Sequence, residues 1–175
     1  MSCVVLYKSK YGSAKQYAEW IGEELSCEVF DVKKVKVDDL LGYDTIILGG
    51  GLYAEVIAGA TLITKNLDKL SSKKLVIFST GITPIDCRDY YDKYVIEKNF
   101  KPEMLNKIKV FNFLGKMLVS ELTLVHRTAL KTLKKIMSGK ENPTEMEKML
   151  VDLCEYDADE MDKNQIIPLL EYVRN

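Results

Sequence analysis

Residues 9–13 read Ser-Lys-Tyr-Gly-Ser and join an apolar, strand-type run at 4–7 to a helix-like pattern that begins at Ser13. Where a strand leads straight into a helix, the first amides have no partner within the helix, and the helix dipole adds partial positive charge. A phosphate dianion suits such a place. Gly12 lets the backbone close tightly around an anion, and the hydroxyls of Ser9 and Ser13 can donate to it. The same residues also suit an ordinary strand-to-helix turn capped by Ser13. Taken alone, the loop does not separate the two readings. Two further stretches share its character, Gly-Gly-Gly-Leu-Tyr at 49–53 and Ser-Thr-Gly-Ile at 79–82, and each follows an apolar run.

Other chemistry finds little support. His126 is the single histidine and has no Cys or acidic neighbour at ligand spacing, so no metal is expected. Cys3, Cys27, Cys87 and Cys154 form no C-x-x-C pair. They read as reduced thiols acting as small core residues. No Ser-His-Asp set competes. The net charge of −1 gives no overall field for nucleic acid.

The elements that must position the three loops alternate between strand and helix. Strand signals fall at 4–7, 27–32 (more polar, an edge), 43–51, 73–81 and 107–113. Helix signals fall at 13–25, 60–70, 84–100 (opened by Pro84) and about 162–173, where Pro168 marks either a kink or a later start. Five strands with helical crossovers imply an α/β fold, an open parallel sheet covered on both faces. In such sheets ligands bind beyond the C-terminal strand ends, which is where the three loops lie. At 175 residues, with 47% apolar and 29% charged side chains, one domain over 1–175 is expected.

One stretch exceeds an ordinary connection, an inserted segment at about 115–160 before the last helix. Its first half carries Arg127, Lys131, Lys134, Lys135 and Lys140. Its second half is acidic, and the two can partly neutralise one another. Within it, residues 126–137 read as an amphipathic helix with Ala129, Leu130, Leu133, Ile136 and Met137 on one face.

The stretch VVLYKSKYGSAKQYAEWI resembles the phosphate loop and first helix of flavodoxin-like proteins. Against the usual T-x-T-G-x-T loop stand Ser9, Lys10, Tyr11, Gly12, Ser13 and Ala14, so Tyr11 and Ala14 replace threonines while the backbone cradle from Gly12 to Lys15 is kept. LGYDTIILGGGLYAEVIAG, VIFSTG and the segment from FNFLGKMLVSELTLVHR onward resemble the menaquinone-dependent protoporphyrinogen dehydrogenase group.

That resemblance implies a doubly wound sheet of order 2-1-3-4-5 and FMN as cofactor. Ser9, Lys10, Tyr11, Gly12, Ser13 and Ala14 would then hold the phosphate. Gly50, Gly51, Leu52 and Tyr53 would lie on one side of the isoalloxazine ring, with Tyr53 stacking and a glycine peptide rearranging on reduction. Ser79, Thr80, Gly81 and Ile82 would lie on the other side. The chemistry belongs to flavin N5, with no catalytic side chain assigned. Porphyrinogen oxidation with a quinone acceptor is the implied reaction. A flavodoxin-type carrier between redox proteins and a flavin-free interaction module are the alternatives. No basic region followed by a long hydrophobic stretch opens the chain, so cytoplasm is expected, with peripheral contact at the inner membrane face through 126–137.

Overall fold

The computed structural model describes residues 2–83, 87–154 and 156–175. Five longer strands form the main sheet, β1 (Cys3–Lys8), β2 (Glu28–Asp31), β3 (Thr45–Tyr53), β4 (Lys74–Gly81) and β5 (Ile108–Leu114), and the two-residue strand Val56–Ile57 adds antiparallel to the end of β3. All five are parallel, as the alternating pattern implied, in the order β2-β1-β3-β4-β5, as the resemblance implied. β2 is the edge strand.

Strand parity explains both covered faces. Val4, Leu6, Ile46, Leu48, Leu75 and Ile77 point to one layer, while Val5, Ile47, Val76 and Phe78 point to the other. The second layer is α1 (Ser13–Leu25), through Ala14, Tyr17, Ala18 and Ile21, together with the C-terminal helix. The first layer holds α2 (Thr61–Thr64) and α3 (88–99), whose middle turn Tyr91–Ile96 is a π-helix. Each fully buried Leu, Ile or Val here contributes about 1.5–3 kcal/mol.

Several expectations need correction. The helix read at 60–70 is only one α-helical turn followed by turns. Asn66 donates its side-chain amide to Leu62 O at 2.8 Å and its N–H to Ile63 O, which diverts the helical ladder. The third strand does not end in its glycines. It runs through them to Tyr53, with Gly49 and Gly50 paired to Tyr7 and Lys8. Pro84 lies outside the described residues. The C-terminal helix starts late, at Ile167, with Pro168 in its first turn. The four cysteines are all partly exposed rather than enclosed in the core.

The long segment after β5 is an excursion with its own strands and helices. Lys116–Met117 pairs antiparallel with Ala158–Asp159, closing its base. Between them rise α4 (Leu124–Ser138) and α5 (Glu145–Leu153), after which the chain returns to α6 (Ile167–Arg174). Lys140 and Glu147 form an ion pair that links the basic and acidic halves. No helix among the described residues is long and apolar enough to cross a membrane.

A buried phenol ties α3 to the sheet. Tyr91 is 2% exposed and donates to Ser79 Oγ at 2.6 Å; Ser79 in turn donates to Asn112 Oδ1 at 2.9 Å. Burial pushes the Tyr91 phenol up to about 12 from its ordinary 10.0. Below pH 10 folded and unfolded chains both hold this proton and the stabilisation is complete. Between about 10 and 12 only the unfolded chain releases it, so stability falls as pH rises. We expect a loss of about 2–3 kcal/mol across that window from Tyr91. Urea unfolding at stepped alkaline pH should show it, with a flatter profile for Tyr91→Phe.

Candidate functional site

The C-terminal ends of β1, β3, β4 and β5 meet at one rim. There the chain lines a partly open cavity of about 470 Å³. Its walls come from the three loops and from the excursion, which lies across them.

At the first loop, Gly12 is left-handed, with φ of +95°. Its N–H donates to Ser9 Oγ at 3.0 Å, which folds the turn on itself. The expected cap is corrected here: Gly12 is the N-cap of α1, and no side chain caps it. Ser13 is buried, and its Oγ accepts the Lys116 N–H at 3.1 Å. Among the described residues, the amides of Ser13, Ala14 and Lys15 have no intramolecular acceptor, because the helical ladder begins with Gln16 N–H to Gly12 O. The Lys116 side chain passes 3.8 Å from the point where a Gly12 Cβ would stand, adding positive charge beside those amides. This is an anion cradle built from backbone, dipole and one ammonium.

The second loop is a two-residue hairpin that returns from Tyr53 to Val56. Ala54 and Glu55 take φ of +48° and +60°, the type I′ pattern without its usual glycine. Such residues cost about 1–2 kcal/mol each. Contacts from α3 hold them: Lys98 Nζ to Ala54 O at 2.7 Å, Asn99 Nδ2 to Glu55 O at 2.7 Å, and Tyr90 Oη to Glu55 Oε1 at 3.2 Å. Burial, then the Glu55 carboxylate, pushes the Tyr90 phenol up to about 12. Tyr53 leans back over the first loop. Its Oη accepts the Lys10 N–H at 3.1 Å, and its ring lies 6.2 Å from that of Tyr11. Gly50 is paired opposite Lys8 and Ser79, and Gly51 O accepts the Ala58 N–H at 3.0 Å, so both peptides are tied into the sheet.

Of the sequence-predicted site residues, Ser9, Tyr11, Ser13, Gly51, Leu52, Tyr53, Thr80, Gly81 and Ile82 line the cavity together. Lys10, Gly12, Ala14 and Gly50 are not among its lining residues. Ser79 is turned away: strand parity sends its hydroxyl into the Tyr91–Asn112 network, not toward the rim.

The excursion adds lining residues that were not among the predicted site residues, although Ala129, Leu130 and Leu133 belong to the apolar face read at 126–137. Met117, Leu122, His126, Ala129, Leu130 and Leu133 cover the cavity, and Tyr90 and Glu55 border it. His126 Nδ1 lies 2.6 Å from Tyr11 Oη, and its ring packs 5.6 Å from Tyr53. The available signal was topological. β5 ends at the same rim as β1, β3 and β4, so whatever follows Leu114 starts beside the loops.

These residues suit FMN. The cradle at α1 fits a phosphate, and the strip between Leu52–Tyr53 and Thr80–Ile82 offers apolar walls with backbone polar edges.

A 116-residue stretch is 31% identical to an uncharacterized protein of Methanocaldococcus jannaschii, spanning 65% of this chain and 69% of that one. A flavodoxin from the domain Archaea superposes with a TM-score of 0.40 at 17% identity, over 89% of this chain and 97% of that one. A Fusobacterium nucleatum flavodoxin mutant bound to flavin mononucleotide does so with a TM-score of 0.34 at 19% identity, over 69% and 71%. The flavodoxin domain model matches residues 4–144, most of the length and all five strands, and the chain belongs to that flavodoxin domain family.

Proposed function

We propose that this chain binds FMN along the rim and catalyses two-electron oxidation of a small organic substrate held beneath α4, a protoporphyrinogen-type porphyrinogen, with a quinone as final acceptor. The observation that carries this reading is the roof. A carrier that hands electrons to another protein needs an open cofactor edge, whereas here Leu122, Leu130 and Leu133 stand across the rim and form one wall of the cavity.

When bound, the flavin supplies hydride acceptance at its N5. The chain's own residues do the rest. The amides of Ser13, Ala14 and Lys15 and the Lys116 ammonium hold the phosphate. Leu52 and Tyr53 on one side and Thr80, Gly81 and Ile82 on the other orient the ring. Leu122, Leu130 and Leu133 exclude water. His126 handles the proton. With Tyr11 Oη donating to Nδ1, the neutral imidazole carries its proton at Nε2; with Nδ1 donating, Nε2 is the acceptor. α4 also presents Leu124, Val125 and Ile136, which are 79%, 75% and 59% exposed, beside Lys131 and Lys135. That surface supports peripheral contact with the inner membrane face, where a lipid-soluble quinone resides.

Family membership favours a second reading, a flavodoxin-type carrier between redox proteins. An anaerobic assay of the FMN-loaded chain with protoporphyrinogen and a menaquinone analogue separates the two. Quinone-dependent turnover supports the enzyme; reduction by a flavoprotein reductase alone supports the carrier; no uptake of FMN sinks both. A carboxylate placed unpaired against an apolar substrate costs about 2 kcal/mol or more. Leu133→Asp is therefore expected to lower kcat/KM about thirtyfold, with FMN affinity, read by fluorescence titration, unchanged within about twofold.

A further inference from the structure

At the opposite end of the sheet from the rim, two thiols stand side by side. β1 and β2 run parallel, with Val4 opposite Glu28 and Val5 opposite Val29. One residue earlier, the same register sets Cys3 opposite Cys27. Both side chains face the layer of α1 and α6 and pack against the cluster that contains Val5 and Ile21. Adjacent strands lie about 4.8 Å apart, within the Cα separation of about 4.4–6.8 Å that a disulfide spans.

Both cysteines are partly exposed, and both line a cleft of about 270 Å³ with Ser2, Ser26 and Tyr43. Small oxidants therefore have access. We propose that Cys3 and Cys27 form a reversible dithiol–disulfide modification site for oxidants of the peroxide class. It is independent of the flavin reading.

The electrostatics agree with the geometry. A hydrogen bond from the Cys3 thiol holds the Cys27 thiol below its ordinary range, and the same contact, with burial, pushes Cys3 up. Cys27 is therefore the first of the two to ionise, and its sulfur is the nucleophile.

Its thiolate attacks one oxygen of hydrogen peroxide. The O–O bond breaks, hydroxide leaves and takes a proton to become water, and Cys27 becomes a sulfenic acid. The Cys3 sulfur then attacks the Cys27 sulfur. The S–O bond breaks, the S–S bond forms, and the departing hydroxide takes the Cys3 proton. Two thiols lose two electrons in all, and one peroxide becomes two waters. An external dithiol reverses this through a mixed disulfide.

The test is peptide mapping of the reduced, full-length chain after stoichiometric hydrogen peroxide, with free thiols alkylated at the quench. The expected product is a Cys3–Cys27 crosslinked peptide that accounts for most of the lost thiol and disappears with dithiothreitol, while Cys87 and Cys154 stay alkylatable. In Cys3→Ser, Cys27 should be trapped as a dimedone adduct instead. Oxidation spread evenly over the four cysteines overturns the proposal, as does recovery of Cys3 and Cys27 as two unlinked residues.

Discussion

Gly12→Val is expected to weaken FMN binding by about 100-fold or more while costing the fold about 1–2 kcal/mol. The reason lies in the backbone, not in space. A Cβ at Gly12 would meet only the Lys116 side chain, at 3.8 Å, so a valine has room. What it cannot do is hold φ at +95°. Relaxing to a negative φ swings the Gly12 N–H off Ser9 Oγ and turns the first amides of α1 away from their common focus. Hydrogen bonds to a charged group contribute about 1.5–3 kcal/mol each, so losing two gives the stated factor at about 1.4 kcal/mol per tenfold. Gly12→Asn is the informative control, because asparagine accepts the left-handed region. It should bind FMN within about tenfold of the parent. Fluorescence titration of the three apo-proteins, with urea melts alongside, reads both quantities. If valine binds as tightly as glycine, the phosphate does not sit at this turn.

The central strands β1, β3 and β4 were legible because each is an apolar run whose two faces are both covered. The rim was legible because a parallel sheet gathers its strand ends on one side. What stayed hidden depends on contacts distant in sequence. Lys116 and His126 lie on an excursion whose base is closed by pairing of Met117 with Ala158, and neither its charge halves nor its amphipathic stretch says which residues reach the rim. The 60–70 segment has apolar residues at helical spacing, yet Asn66 bonds its own backbone neighbourhood and the helix stops after one turn. Ser79 carries a different lesson. Its place in the chain groups it with the loop, but Leu75, Ile77 and Ser79 alternate onto one face of β4, and that face meets Tyr91.

The three glycines of β3 show how one residue type serves two ends. Gly49 stands opposite Phe78 in the β3–β4 ladder, and a Cβ there would lie 2.1, 2.4 and 2.7 Å from three atoms of the Phe78 ring. Phe78 is fully buried among other aromatic rings. Phe113 packs 5.2 Å away, and Tyr17, edge-on at 6.4 Å, is fixed by its hydrogen bond to Leu114 O at 2.7 Å. Gly49→Ala must therefore push β3 and β4 apart or expel a core ring. Overpacking costs about 1–3 kcal/mol, and this site belongs at the upper end. It outweighs the gain of about 0.5–1 kcal/mol that alanine usually has over glycine in a strand. Net of that gain about 2–2.5 kcal/mol remains, and at about 2–4 °C per kcal/mol for a chain of this size Tm should fall by about 4–10 °C. The decisive measurement is the sign of the coupling. Phe78→Leu alone should destabilise the protein, because it thins the core, yet added to Gly49→Ala it should raise Tm by making room for the new methyl group. Should Gly49→Ala melt with the parent, the ring is not what excludes a side chain at position 49, and the glycine serves the rim instead.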